Sequence, residues 1–514
     1  MKEKKQKQDT VSFLSEKLVD SDKKNHIPDG YEIIKNYPLH PPFSYVNILY
    51  NQEKSSYLYF TDELKLNQEE VAIYENVYHL IEQSLESPDE QSAANSNFDE
   101  QLNTIMKENE KIFATYSNTS LEKVKYYLKR DVDGFGLLDP LMHDINIEDI
   151  SCSGPQIPIY VWHRNYDSIP TNIQFESTEK LNSFISRVVF RAGKHISTAF
   201  PISDLSLQGN HRISVLYQKE VTPRGTSFTI RKFREDPYTI IDLIKFDTIN
   251  LPIAAYIWML VEAKMSFIII GPTGSGKTTL LNAITGFANA NFKIVSVEDV
   301  SELNINHENW FTLISRSGFG LAGEGEIGLY DLIKAGVRHR PDYIVVGEIR
   351  GSEAYVMFQA MATGHGGLCT MHADSLESAV KRLQQKPMDI PPAYISLMNC
   401  AIVVKRVKES DSGRSSRRAT IISEITNAST SNTAFSWNPR TGDFEETLQD
   451  SQIFKKIADS TGLDLTQILE EHQRRISILK WMIENGIRDY KTVSEIIGRY
   501  YRDPESLIQK ICEV

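Results

Sequence analysis

Three short runs in the second half of the chain, SFIII (266–270), KIVSV (293–297) and YIVVG (343–347), are apolar without clean polar alternation. Strands covered on both faces read this way. Helical stretches lie between them, so the pattern predicts an α/β core with a mostly parallel sheet from near Tyr238 to about Ile425. Upstream, IPIYVWH (157–163), RISVLYQ (212–218) and SFTIRKF (227–233) read as strands beside a helix over Thr178 to Ala192. Alternating aromatics in YVNILY and SSYLYF predict short strands between Gly30 and Phe60. Helical patterns follow at Thr61 to Leu85, Leu102 to Arg130 and beyond Phe454. The DSGRSSRR run (411–418) reads as a hairpin tip and 426–434 as an exposed loop. The expected organisation is a disordered leader (1–29), a variable region (30–130) with a linker near 86–100, an α+β domain (131–237), the α/β core (238–430) and a mainly helical extension (431–514).

A length of 514 residues agrees with about three or four domains. The net charge of −12 disfavours a chain whose main task is coating nucleic acid, which needs a basic face. Cys152, Cys369, Cys400 and Cys512 form no CxxC pair, so neither a zinc knuckle nor a disulfide framework is indicated, and a reducing compartment is expected. The charged start lacks the apolar stretch of a secretory signal. The apolar run Leu251 to Val261 is far short of the roughly 20 residues of a bilayer crossing. A soluble chain is expected, with peripheral membrane attachment left open.

The chemistry begins at GPTGSGKTT (271–279), directly after one buried-type strand and before the helical run TLLNAITGF. Gly271, Gly276, Lys277 and Thr278 fit G-x-x-x-x-G-K-[ST]. Glycines let successive amides curl round an anion, and the helix N-terminus adds donors and a favourable dipole. Gly271, Pro272, Thr273, Gly274, Ser275, Gly276, Lys277, Thr278 and Thr279 are therefore the candidate nucleotide cradle. Lys277 suits the β and γ phosphates, and the Thr278 hydroxyl suits Mg2+.

Hydrolysis also needs a group that positions water. Glu348, after strand YIVVG, and the Glu298-Asp299 pair, after KIVSV, stand where a parallel sheet presents its active edge. Either glutamate could polarise water; Asp299 and Glu348 could join Thr278 around the metal. In TGHGGLCTMHADS, His365 and His372 are candidates for phosphate sensing or proton carriage, and His365 is the favoured one. Arginines to offset developing charge are available at Arg338 and Arg340, and upstream at Arg212, Arg224, Arg231 and Arg234.

The ordered set GTSFTIRKF (225–233), GPTGSGKTTLLNAI (271–284), VEDVSELNINHENW (297–310), RPDYIVVGEIRG (340–351) and FQAMATGHGGLCTMHADS (358–375) resembles the type II/type IV secretion-system and pilus ATPases, in their archaeal branch. The resemblance implies a RecA-like P-loop NTPase core, a separate α+β N-terminal domain, ATP and Mg2+ as cofactors, and a homohexamer. It further implies a cytoplasmic protein, peripheral at the inner face of the cell membrane. There it would drive pilin-like or flagellin-like subunits through a polytopic membrane platform protein, with no nucleic acid partner. An archaellum motor is the alternative, and a hexameric nucleic-acid translocase a more distant one. By motif, Glu348 would be the Walker B acid, Glu298 and Asp299 the acidic box, and His365 and His372 the histidine box. Arg212 and Arg231 would be arginines turned towards phosphate or a neighbour. The chain departs from the family at Leu207-Gln-Gly-Asn-His-Arg212, where Asn210 replaces a glycine, and it lacks the four-cysteine zinc module of many bacterial members. Asparagine tolerates the left-handed conformation such a turn requires.

Overall fold

The computed structural model describes residues 27–85, 98–109, 116–234, 236–316, 325–408 and 415–512. Residues 1–26 of the leader, most of the 86–100 linker and the 411–414 part of the hairpin tip lie outside them. Contacts within the chain divide it into two units, Met1–Phe233 and Arg234–Val514.

The first unit carries strands β1 (Tyr31–His40), β2 (Ser44–Asn51), β3 (Ser56–Glu63), β4 (Ile147–Cys152), β5 (Pro158–His163), β6 (Asp167–Gln174), β7 (Ile202–Ser206), β8 (Arg212–Leu216) and β9 (Ser227–Arg231). They form one sheet in the order β1-β2-β3-β6-β5-β4-β9-β8-β7. The boundary expected at residue 130 therefore falls inside a single sheet. Its physical reason is a buried carboxylate: Asp144 accepts hydrogen bonds from Tyr37 of β1 and Tyr59 of β3, each at 2.6 Å. A charged acceptor deprived of either donor would be left desolvated, so these strands and the later segment hold each other. The helix Thr178–Arg191 starts at Ser177, whose side chain caps Lys180 N, and buries Leu181, Phe184, Ile185 and Val188. Asn210 takes φ 60°, as the left-handed turn before Arg212 requires. The helical pattern expected from Thr61 begins at Gln68, because 61–63 finish β3.

The second unit holds β10 (Phe267–Ile270), β11 (Ile294–Glu298), β12 (Trp310–Ile314), β13 (Tyr343–Val346), β14 (Gly366–Met371), β15 (Cys400–Lys408), β16 (Ser415–Ile425), β17 (Ser431–Trp437) and β18 (Phe444–Glu446). Their order is β12-β11-β13-β14-β10-β15-β16-β17-β18. From β12 to β15 neighbours are parallel; from β15 to β18 they are antiparallel. β10, β11, β13 and β14 are buried at every position. Alternate residues sort into two cores. Phe267, Ile269, Tyr343 and Val345 join the helices Leu251–Glu262 and Lys277–Thr285, while Ile268, Ile270, Ile344 and Val346 join Leu329–Val337, Glu353–Ala362 and Leu376–Gln384. Two-sided burial explains why these strands lack polar alternation.

The apolar run 251–261 is a helix buried from Ile253 to Val261, packed against the C-terminal helix Leu465–Glu484. A helix that is apolar all round belongs in an interior of this kind. Among the described residues no helix is long and apolar enough to cross a membrane. The flanking strands β15 and β16 pair as the hairpin reading requires, out to Lys408 and Ser415. The 426–434 loop is shorter than expected, because Ser431 pairs with Ile425 and begins β17. For the same reason the helical extension starts at Gln452, not 431.

Burial pushes His163 and His211 of the first unit down to about 4, so both are neutral in the native state at pH 7. The unfolded chain takes up their protons near pH 6.5, so it binds more protons than the native state between 6.5 and 4. Stability from these groups is complete above pH 6.5 and is lost as pH falls towards 4. Denaturant unfolding followed from pH 7 to 4.5 should show this loss, and a H163Q/H211Q double variant should show a shallower slope. Parallel slopes would contradict the assignment.

Candidate functional site

The parallel strands end along one edge, and each end delivers a different group. β10 runs straight into the turn 271–276, which opens the helix Lys277–Thr285. Gly274 and Gly276 take φ 71° and 94°, conformations that side chains resist. Gly271 is required for a different reason: a Cβ there would lie 2.3 Å from the Val404 carbonyl oxygen of β15. Lys277 folds back so that Nζ donates to the Pro272 carbonyl at 3.0 Å. Ser275 Oγ is buried with no protein hydrogen-bond partner.

β14, next to β10, ends at His372. Its Nε2 lies 3.3 Å from Thr273 Oγ1, 3.5 Å from Lys277 Nζ and 3.7 Å from Glu348 Oε1. Burial, and then the Lys277 charge, hold this imidazole below its ordinary pKa. β13, the next strand, ends in Gly347-Glu348. Burial is the largest single influence on the Glu348 carboxyl and would raise it, but a hydrogen bond from Arg350 (2.6 Å) and the charges of Arg350, His372 and Lys277 together outweigh it. The carboxyl is held below the usual carboxylate range. Its Oε1 is buried and accepts no hydrogen bond. Glu353 fixes the turn that carries Arg350, accepting from Arg350 N and Gly351 N at 2.5 and 2.6 Å.

β11, one strand further out, ends at Glu298. Oε1 accepts from the Glu302 and Leu303 amides at 3.0 and 2.9 Å. Burial dominates its ionisation and pushes it up to about 7. This carboxyl is occupied with shaping its own loop, whereas Glu348 reaches the phosphate loop through His372. Asp299 is exposed beside Glu298.

The cradle suits a nucleoside triphosphate with Mg2+. Gly271 leaves room for backbone and no more, Gly274 and Gly276 hold the positive φ of the turn, a buried hydroxyl has no protein partner, and an ammonium stands inside the turn. Thr278, Glu348 and Asp299 carry oxygen donors of the hard kind that Mg2+ prefers and would be the residues to hold it.

The sequence profile of the type II/IV secretion system proteins matches residues 139–477. The chain belongs to this family. The uncharacterised protein MJ0900 of Methanocaldococcus jannaschii is 37% identical over 389 residues, which cover 74% of this chain and 70% of MJ0900. A putative conjugal transfer protein of Mycobacterium tuberculosis H37Rv, another relative, is 30% identical over 50% of this chain and 74% of its own. Among solved structures, the ATPase DotB of Legionella pneumophila aligns over 70% of this chain and 94% of its own, at 15% identity and a TM-score of 0.42. Family membership stands on the sequence matches alone.

Within this family member, the structure brings the 271–279 loop, Glu348 and His372 together. It does not bring His365 to them. His365 precedes β14 at the opposite end of the strand, about 20 Å away at strand rise, where its Nδ1 lies 3.1 Å from both the Ala360 carbonyl and Thr363 Oγ1. It finishes a helix there, so the order of preference between the two histidines is reversed. Arg338 and Arg340 precede β13 and are likewise at its far end. Arg212 and Arg231 belong to the first unit, where they face each other in register on β8 and β9, with Asp149 3.3 Å from Arg231.

Two residues escaped sequence reasoning. Arg350, two positions beyond Glu348, was signalled by that spacing alone. Arg417, on β16, touches the phosphate loop; it lay inside the run read as a hairpin tip, and its contact depends on a strand register no local pattern carries.

Replacing His372 with alanine should weaken Mg-nucleotide binding or turnover by about tenfold or more, as loss of a polar contact to phosphate would. The same change at His365 should alter either by less than about threefold. Equilibrium binding of a fluorescent nucleotide to both variants checks the order.

Proposed function

We propose that the protein is an ATPase motor of this family, acting as a homohexamer at the inner face of the cell membrane and moving pilin-like subunits through a membrane platform protein. The observation that carries the ATPase reading is the contact chain Lys277–His372–Glu348, which joins a phosphate loop to a carboxylate kept ionised. Identities of 37 and 40% to two M. jannaschii proteins, against 30% to the M. tuberculosis and Bordetella pertussis relatives, favour the archaeal branch. The B. pertussis relative, type IV secretion system protein PtlH, supports an export role.

In this reading the amides of the loop and of the helix start at Lys277 hold the phosphates. Lys277 leaves the Pro272 carbonyl for the β and γ oxygens, and Thr278, Glu348 and Asp299 are the residues that would hold Mg2+. Mg2+, when bound, neutralises charge on the β and γ phosphates. Glu348, whose Oε1 accepts no hydrogen bond, orients the attacking water and accepts its proton. His372 reports the γ phosphate to the end of β14. Arg212 and Arg231 are the arginines offered for charge that develops in the transition state.

Phosphate release and nucleotide binding, measured on the same preparations, test the chemistry. K277A should lose both. E348Q should keep binding within about threefold and lose turnover by at least about 100-fold, because it removes the base and leaves the cradle. Full turnover in E348Q would remove Glu348 from the reaction. A site completed by a neighbouring subunit should also make turnover per chain rise with protein concentration as hexamers form. A flat rate from the monomer range upward would exclude a shared site.

A further inference from the structure

Two carbonyls of the phosphate loop are held by cations, one from within the loop and one from a distant strand. Lys277 takes that of Pro272, and Arg417 Nε donates to that of Gly274 at 3.1 Å. Gly274 sits at φ 71°, and a Cβ there would meet nothing within 4 Å, so packing does not fix this peptide. The stem of Arg417 lies along the same turn: a Cβ on Gly276 would be 3.3 Å from Arg417 Cδ. Arg417 is anchored in turn by β16, where it pairs with Arg406 of β15. β15 is also the strand whose Val404 carbonyl crowds Gly271. One hairpin therefore touches the loop at its first residue and at its tip. In a trans peptide the C=O and N–H point in opposite directions. A hold on Gly274 O consequently aims the Ser275 N–H inward, where it closes the turn onto Pro272 O at 3.3 Å.

We infer that Arg417 is a positioning residue for the phosphate loop, fixing the Gly274–Ser275 peptide so that the cradle is preformed before a triphosphate enters. The inference rests on the ATP-binding reading above. Its physical content is preorganisation: a loop already ordered does not charge its ordering entropy to ligand binding. Arg417 acts through the backbone, so its effect belongs in affinity and not in the chemical step.

Hydrogen exchange of the full chain without nucleotide reads the loop directly. In R417A the peptide spanning 268–280 should exchange at least about fivefold faster while the rest of the unit is unchanged. The Kd for fluorescent Mg-ATP and the KM should rise about tenfold, the scale of one charge-assisted hydrogen bond, with most of the loss outside kcat. R417K, which keeps the charge but places its nitrogen one atom further out, should recover part of both, while R406A on the paired strand should show neither effect. Unchanged loop exchange in R417A, equal losses in R406A, or faster exchange throughout the unit with a fall in Tm would overturn the role. A wild-type chain that binds no Mg-ATP would instead remove the ATPase reading, and the nucleotide-free exchange comparison would still decide what Arg417 does to the loop.

Discussion

Everything at the site depends on parallel strand register. β10, β11, β13 and β14 run the same way and are bonded through matched residues, so that Ile270 stands level with Met371, and Val346 with Val297. The residue after each strand then emerges on one edge, neighbouring strands being about 4.8 Å apart. Glu298, Glu348, His372 and the glycine turn are neighbours because of that alignment and for no local reason. A parallel ladder cannot slip by one residue without sending each buried face to the wrong core. Here both faces are filled, by alternate residues of the same strands. The two cores therefore hold in place the strands whose ends carry the candidate groups.

The helix that begins at Lys277 is secured at its other end as well. Tyr501 donates to the Phe287 carbonyl at 2.7 Å, just past the last turn, and Tyr490 Oη lies 3.4 Å from the Asn282 carbonyl. Trp258 stacks on Phe287 with ring centroids 5.4 Å apart, and its indole donates to Tyr501. Carbonyls at a helix C-terminus lack intrahelical donors, and these hydroxyls supply them. Arg475, almost fully buried, pairs with Glu262 and Glu471 and lies over the Trp258 ring. A buried guanidinium with two carboxylates fixes the seating of the C-terminal helices more than it stabilises them. The extension is thus a backing plate for the helix that begins at Lys277.

Sequence made the second unit legible where its signals are local. The glycine turn, its flanking strand and helix, and acids at strand ends are all short-range patterns, and each lies where they pointed. What failed was long-range. The glycines around His365 in TGHGGLCTMHADS favour it over His372, yet the strand between them sends His372 to the loop and His365 to the opposite edge. The division at residue 130 failed similarly, because Tyr37, Tyr59 and Asp144 meet across 107 and 85 positions of chain. β17 was missed since Ser431 to Thr433 are polar and exposed, and their strand character comes from pairing with β16.

Glu298 and Glu348 show how fold resolves what composition leaves equal. Both are glutamates at the ends of buried parallel strands, and both keep one oxygen without a hydrogen bond. Their surroundings separate them. Glu298 is nearly inaccessible, bonded to two amides of its own loop, and pushed up to about 7 by burial. Glu348 stands one strand closer to the phosphate loop, with Arg350 on one oxygen and His372 beside the other. A group that must take a proton from water needs charge, access and a fixed direction at the same moment. Glu348 has its charge from Arg350, its direction from the turn held by Glu353, and its link to the 271–279 loop through the histidine that follows the intervening strand. Glu298 has a fixed direction, towards its own backbone. Strand order therefore assigns it to building the edge on which Glu348 stands.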